Sequence, residues 1–270
     1  MSDSAEFLAL KQRMKSTWMA GDFGQIARIA ERSAEEFVDR LDLQPGMRVL
    51  DVACGTGNQS VPAARTGADV TGLDIAPNLL EQARERARQE NLSLNLIEGD
   101  AEQLPHKEAE FDVVLSMFGA MFAPRPERVV SEFLRVCRPG GMIAMGNWTP
   151  GGFVGKSFAL NGRYVPLPPG VPAPALWGNE RVVAERFGDK AQLQMTPRMV
   201  KFDVPCGPEE VVELFKTYFG PTKTAFERLD ANGQRAMQND LVRLWADHNE
   251  GRDGHTVVQA EYLEVHARPN

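Results

Sequence analysis

Cysteine is scarce in this chain. Only Cys54, Cys137 and Cys206 are present, widely spaced and odd in number. That argues against a disulfide scaffold and against a cysteine-rich metal site, so no metal is expected. No apolar run approaches the roughly 18 residues of a membrane-spanning helix, so no membrane partner is expected either. Lysine and arginine form no cluster, and 30 basic residues face 37 acidic ones for a net charge of −7. A nucleic-acid partner is therefore not expected. The first residues, Met1 to Glu6, lack the basic start of a secretion signal, which leaves a cytoplasmic location as the default. Repeats and low-complexity tracts are absent. What remains is 270 residues, 43% hydrophobic and 25% charged. Such a chain can bury a large core as one elaborated domain, monomeric or homodimeric.

The most informative segment is Val49-Leu50-Asp51-Val52-Ala53-Cys54-Gly55-Thr56-Gly57. An apolar strand runs into an acid and then a loop of small residues. Ala53, Gly55 and Gly57 let backbone approach a ligand closely. The loop's N–H groups would lie at the start of the next helix, where polar or negative groups are favoured. Two more strands run into an acid, Val70 to Asp74 and Leu96 to Asp100, and a fourth strand, Phe111 to Met117, follows. A fifth, Met142 to Trp148, follows a turn at Arg138-Pro139-Gly140-Gly141. Helical stretches separate them, clearest at Pro77 to Glu90 and Arg125 to Arg138. Strands alternating with helices predict an α/β fold with a parallel sheet covered on both faces. Ligands of such sheets bind outside the carboxyl ends of the strands, near Asp51, Asp74, Asp100 and Ser116. An acid about 20 positions after a glycine loop suits a ribose diol.

The order D-V-A-C-G-T-G, G-L-D, G-D-A, F-D-V-V-L-S and R-P-G-G resembles class I S-adenosylmethionine-dependent methyltransferases over roughly residues 40–150. Two departures are visible. Ala53 stands where glycine is more usual, and His106 where an aromatic is. The resemblance implies a Rossmann-like, doubly wound, mostly parallel seven-stranded sheet with an antiparallel last strand. It also implies S-adenosylmethionine as cofactor and a small-molecule acceptor. Carried over residue by residue, Asp51 orients the loop and reaches the methionine end through water, while Ala53, Gly55 and Gly57 make room for that end and the ribose. Asp74 holds the ribose hydroxyls, with Ile75 against the adenine. Asp100 accepts from the adenine amino group and Ala101 donates to the ring. Ser116 and Met117 border the methionine portion. A plainer reading of Asp74 or Asp100 is a cap on the following helix.

Two other classes compete. A nicotinamide oxidoreductase would need glycine where Ser60 stands, counting G-x-G-x-x-G from Gly55. A protein that binds or senses the cofactor without catalysis is the alternative to the enzyme.

Around the core of residues 42–148 lie expected additions. Residues 1–41 form an N-terminal helical segment with Ile26, Ile29, Ala30, Phe37 and Leu41 near one face. That face packs on the sheet, or else Trp18, Met19 and Phe23 fold over the cofactor. Residues 149–177 carry so many prolines and glycines that a long ordered loop, a lid or substrate wall, is expected there. Glu180 to Phe187 reads as a helix, and Leu193 to Val204 as an extended stretch with a break at Pro197. Pro208 to Phe219 and Asn232 to His248 read as helices, and Thr256 to Ala267 as the last strand. The helical insertion 205–255 between the last two strands is expected to form part of the acceptor pocket.

Transfer of a methyl group from a sulfonium needs alignment and exclusion of water. A base is required only if the acceptor arrives protonated. Catalytic residues are therefore unassigned, with His106 and Tyr218 as candidates. His248, at a helix end, suits a protonated imidazole facing the dipole. Acceptor contacts are expected from Phe118, Met121, Phe122, Trp148 and Phe153, joined by Tyr164, Trp177 and Tyr218. The Asn/Asp-Pro-Pro-aromatic signature of nucleobase amino methylation is absent after the fourth strand. Pro205-Cys206 comes too late in the chain for a cytosine-ring nucleophile. The N-terminal pattern of quinone-ring methyltransferases has no match, and the cysteine spacing does not support an arsenic site. A small, partly apolar acceptor remains.

Overall fold

A computed structural model describes residues 4–270; residues 1–3, the start of the expected N-terminal segment, lie outside the described residues. The N-terminal segment is broken into α1 (Ala5–Met19), α2 (Phe23–Ala27), one 3-10 turn and α3 (Glu31–Asp39). The alternation that follows is β1 (Arg48–Val52), α4 (Ser60–Arg65), β2 (Asp69–Asp74), α5 (Pro77–Gln89), β3 (Asn95–Glu98), β4 (Phe111–Met117), α6 (Pro126–Val136) and β5 (Cys137–Trp148). The remainder comprises α7 (Phe153–Tyr164), α8 (Glu180–Phe187), β6 (Ala191–Val204), α9 (Pro208–Tyr218), α10 (Gly220–Glu227), α11 (Ala231–Asp247) and β7 (Thr256–Pro269).

The seven strands form one sheet in the order β3-β2-β1-β4-β5-β7-β6. Strands β1 to β5 pair in parallel, while β7 runs antiparallel to both β5 and β6. Val49, Leu50, Val52, Val114, Leu115 and Ile143 are completely buried. Such near-continuous apolar strands require cover on both faces. Helices α4, α5 and α6 pack on β2 to β5, and α7, α8 and α11 on the antiparallel end. Among the described residues no helix is long and apolar enough to cross a membrane.

Four expectations about local structure are corrected. First, residues 149–177 are not one loop, because twelve of them form α7. Gly155 and Gly162 are accommodated within the helix, and no proline stands between Pro150 and Pro166. The stretch between them is free to become helical. Second, the turn at residues 138–141 is a bulge inside β5. The register against β4 shifts there, Gly140 takes φ +70°, and a Cβ on Gly141 would meet the Asp112 carbonyl at 2.7 Å. Third, Pro197 does not break β6 but pairs opposite Leu263. The strand is at the sheet edge, where a missing N–H goes unnoticed. Fourth, a separate helix, α10, follows Phe219. Gly220-Pro221 begins it, and proline is tolerated in a first turn whose N–H groups have no helical partner.

Candidate active site

The loops that follow β1, β2, β3 and β4 converge on one large cavity, roofed by α1, α2, α7, α9, α10 and α11. Its sheet side is built from residues in left-handed backbone. Ala53 has φ +58°, Gly55 +53° and Phe118 +59°. The left-handed region is costly for a bulky residue such as phenylalanine, so its neighbours must hold it there. The Phe118 N–H donates to the Gly146 carbonyl at 2.8 Å, and its ring stacks on Trp148 with centroids 3.6 Å apart. A Cβ on Gly119 would lie 2.6 Å from the Ala53 Cβ. The turns after β1 and β4 thus touch, and only small residues fit between them.

Asp74 closes the second strand and is 6% exposed. Its Oδ2 accepts the Gly55 N–H and its Oδ1 the Ala76 N–H, both at 2.8 Å. Burial raises its pKa, against those backbone donors. The carboxylate therefore braces the glycine loop, caps the turn into α5 and lies on the cavity wall at once. Asp100 also lies on the wall, accepts the Glu102 N–H at 2.9 Å and forms an ion pair with Lys11 of α1. Lys11 reaches the fully buried Glu102 carboxylate as well, at 2.8 Å.

Of the residues expected around the cofactor, Trp18, Ala53, Gly55, Asp74, Ile75, Asp100, Ala101 and Met117 line the cavity. Three do not. Asp51 is wholly buried behind the loop, where its Oδ2 accepts the Ser60 hydroxyl at 2.6 Å. Gly57 packs against α5, where an added Cβ would lie 3.3 Å from that of Ala83. Ser116 spends its hydroxyl inside the sheet, donating to Val52 and accepting from the Ala120 N–H. Of the N-terminal residues, Phe23 lines the cavity whereas Met19 is 41% exposed. Ile26, Ile29 and Ala30 line it too, while Phe37 and Leu41 join the core.

Of the residues expected around the acceptor, Phe118, Phe122, Trp148 and Phe153 line the cavity and Met121 lies in the core. Tyr164, Trp177 and Tyr218 are corrections. The Tyr164 hydroxyl donates to Asp240 at 2.8 Å, outside the cavity. Trp177 is 1% exposed and stacks under the Arg186 guanidinium. Tyr218 ends α9 and does not line the cavity, which its neighbour Phe219 lines instead. His106, the other candidate base, is also off the wall; its ring packs edge-on against Phe111 and its Nδ1 lies 3.4 Å from Glu110. His248 follows α11, where its Nδ1 lies 2.9 Å from the Leu244 carbonyl and its Nε2 3.1 Å from the Lys156 Nζ.

Sequence reasoning missed Lys11, Gln59, Ser157, Asn161, Phe215 and Trp245, all on the cavity wall. The signal was present on α7, where 153, 154, 157, 158 and 161 follow helical spacing.

The wall has two characters. One end holds the glycine loop, Asp74 and Asp100. The other is aromatic, with Phe153 against Trp245 at 4.5 Å, Phe122 against Trp18 at 5.0 Å and Phe215 against Trp245 at 5.4 Å. Lys11, Asp74 and Asp100 are the wall's charged side chains, and all lie toward the first end. No group of three or more His, Cys, Asp or Glu among the described residues is placed to hold a metal.

Comparison with known proteins agrees with this geometry. Residues 50–145 match the methyltransferase domain family. An uncharacterized protein of Mycobacterium tuberculosis H37Rv is 41% identical over 259 residues, covering 94% of this chain and 93% of its own. The methyltransferase GfsG of Streptomyces halstedii is 38% identical over 123 residues, 44% of each chain. A solved structure of a methyltransferase-type protein from Bacillus halodurans superposes with TM-score 0.61 at 18% identity, covering 88% of this chain and 99% of that one. The alternative of a catalytically silent binding protein gains no support from these relatives. The chain belongs to the class I S-adenosylmethionine-dependent methyltransferases and is an enzyme that uses S-adenosylmethionine as its cofactor.

Proposed function

We propose that the enzyme methylates a small, partly apolar metabolite by direct displacement, with cofactor and acceptor held at opposite ends of the one cavity. The observation that carries this reading is the division of the wall into a polar end and an uncharged aromatic end.

The residues present fit the cofactor. Asp74 keeps lone pairs beyond the two it gives to backbone, enough to accept from ribose hydroxyls. The strained small-residue loop leaves room for the amino-acid portion, and the buried Gln59 amide offers both donor and acceptor there. Ile75 and Ala101 would lie against the adenine, and Asp100 would accept from its amino group. Asp51 and Ser116 act from behind: they fix the two loops and touch no ligand. Bound S-adenosylmethionine supplies an electrophilic methyl group.

The protein supplies alignment and dryness. Aromatic walls from Phe118, Trp148, Phe153 and Trp245 exclude water and hold a flat acceptor in line with the methyl. Such positioning contributes roughly 7–11 kcal/mol in comparable reactions. Neither His106 nor Tyr218 reaches the cavity, so the nucleophile relies on its own ionisation or lone pair rather than on either of them. The test is a mass-spectrometric screen of metabolite mixtures with S-adenosylmethionine labelled at its methyl. A labelled product heavier by one methyl substitution supports the reading. Cofactor binding with no labelled product from any mixture containing neutral apolar metabolites would count against it.

A further inference from the structure

The aromatic end of the cavity holds three uncharged polar side chains with nothing in the protein to bond. Ser157 and Asn161 stand four residues apart on α7, so they share a face one turn apart. Thr222 comes from α10, which packs against α7. All three line the cavity. The Asn161 Oδ1 is buried and has no hydrogen-bond partner. Among the described residues the hydroxyls of Ser157 and Thr222 have none either. Hydroxyls nearby that face away from the cavity are satisfied. Tyr164, also on α7, donates to Asp240 at 2.8 Å, and Thr224 on α10 donates to the Gly220 carbonyl at 2.9 Å.

An unpaired buried amide is destabilising, and buried polar groups are nearly always bonded. Placed in a wall of Phe153, Phe158, Phe215 and Trp245, leucine would pack there without that cost. Asn161 lines the cavity, and turning about its last bond its amide presents either an oxygen or an NH2 group.

We infer that Asn161, with Ser157 and Thr222 beside it, is the positioning residue for the acceptor. It bonds a neutral oxygen substituent, a hydroxyl or carbonyl, on a flat and otherwise apolar ring system. This rests on the reading that the aromatic end receives the acceptor, and it narrows the acceptor's class. An anion or cation would find no counter-charge at this end, and a bare hydrocarbon would leave the amide unpaired. The hydrogen bond fixes which edge of the ring faces the methyl, and the aromatic walls fix its plane.

The test uses naphthol, naphthalene and naphthoate as probes near neutral pH, with the full-length protein saturated in S-adenosylhomocysteine and tryptophan fluorescence as readout. The wild type is expected to bind naphthol about five- to tenfold more tightly than naphthalene, with naphthoate weakest. In Asn161→Leu the preference for naphthol over naphthalene should vanish, while affinities for naphthalene and S-adenosylhomocysteine hold. A packing role for Asn161 would weaken both probes equally. Should Asn161→Leu not fold, the isosteric Thr222→Val and the small change Ser157→Ala must each narrow the preference. The inference is overturned if the variants keep it, if naphthoate binds as well as naphthol, or if no probe binds the folded complex. Failure of the wild type to bind S-adenosylhomocysteine would instead sink the reading on which the inference rests.

Discussion

Asp74 accepts the backbone N–H of Gly55 at 2.8 Å, so the acid ending the second strand holds the loop that follows the first. The two signature motifs are one device. Removing the carboxylate should therefore do two things: take away an acceptor for the ribose, and release the glycine loop. For Asp74→Ala we expect S-adenosylhomocysteine affinity to fall by well over tenfold, since hydrogen bonds to a charged group contribute about 1.5–3 kcal/mol each. Asp74→Asn keeps an oxygen for one backbone donor and should fall between. Calorimetry measures both. Equal affinities in folded wild type and Asp74→Ala would reduce the residue to a cap on α5.

Neighbouring aromatics give a sharper contrast. Phe219 lines the cavity with its ring 5.9 Å from Trp18 and 6.1 Å from Phe23, whereas Tyr218 does not line it. Phe219→Ala should open the wall to water and lower methyl transfer by about tenfold or more, while Tyr218→Phe should leave turnover unchanged. Steady-state kinetics on an identified acceptor decides. If Tyr218→Phe were as damaging as Phe219→Ala, the tyrosine hydroxyl would have to reach the reaction after all.

Most of the sheet and of the cofactor end was legible because each rests on a local rule. An apolar run ending in an acid is a strand aimed at a ligand, and Asp74, Asp100 and Ala53 are on the wall for that reason. The acceptor end was legible only in part: Phe118, Phe122, Trp148 and Phe153 are on the wall as expected, but which other aromatics join them depends on which way a side chain faces. Trp177 and Phe153 are both aromatics beside prolines, yet one is packed under Arg186 and the other looks into the cavity. The flanking Pro166, Pro168 and Pro169 hid α7, and with it the helical spacing that joins Phe153 to Ser157 and Asn161. Gly220-Pro221 likewise read as the end of a helix, although it starts one. Ser116 was placed on the correct strand but one layer too close to the ligand, and Asp51 holds the loop from behind it.

Helix α1 has no fully buried residue, yet it contributes Lys11, Met14 and Trp18 to the cavity wall. Its attachment is largely electrostatic at one edge. Lys11 bonds Asp100 and Glu102, Lys15 bonds Glu98, and the Phe7 ring lies 3.8 Å from the Arg125 guanidinium. An element held this way should open at low cost. Lys11→Met keeps the packed stem and removes the charge. Amide hydrogen exchange in residues 5–19 is expected to speed up several-fold, with the core strands unaffected. Added salt should act on the wild type in the same direction, more weakly because Lys11 is only 13% exposed. Uniform exchange across the chain after the substitution would mean that α1 unfolds only with the whole domain.

The last prediction concerns pH. Asp51 has no exposed surface; Ser60 donates to its Oδ2 and its Oδ1 has no partner. Burial pushes its pKa up from 3.8 to about 7, opposed by the Ser60 hydroxyl and reinforced by the nearby Asp74 charge. A carboxyl whose folded pKa lies above its unfolded one binds its proton more tightly in the folded state. Its stabilising contribution is then complete at pH below about 4, declines as pH rises through about 7, and is level beyond. A tenfold difference in proton affinity between the two states corresponds to about 1.4 kcal/mol, so the upper limit of the loss is about 4 kcal/mol. Elsewhere, burial tends to raise the Glu264 pKa, but the Arg40 hydrogen bond and the charges of Arg40 and Arg198 bring it below its usual value; that group gives stability which is lost toward acid. The whole-protein profile mixes these opposite trends, so the difference between two proteins is the quantity to measure. Asp51→Asn retains an oxygen for Ser60 and cannot titrate. Urea unfolding of both proteins without cofactor should show the variant gaining on the wild type between about pH 4 and 7, with no further gain above. A difference that stays flat across that range would mean Asp51 is ionised throughout.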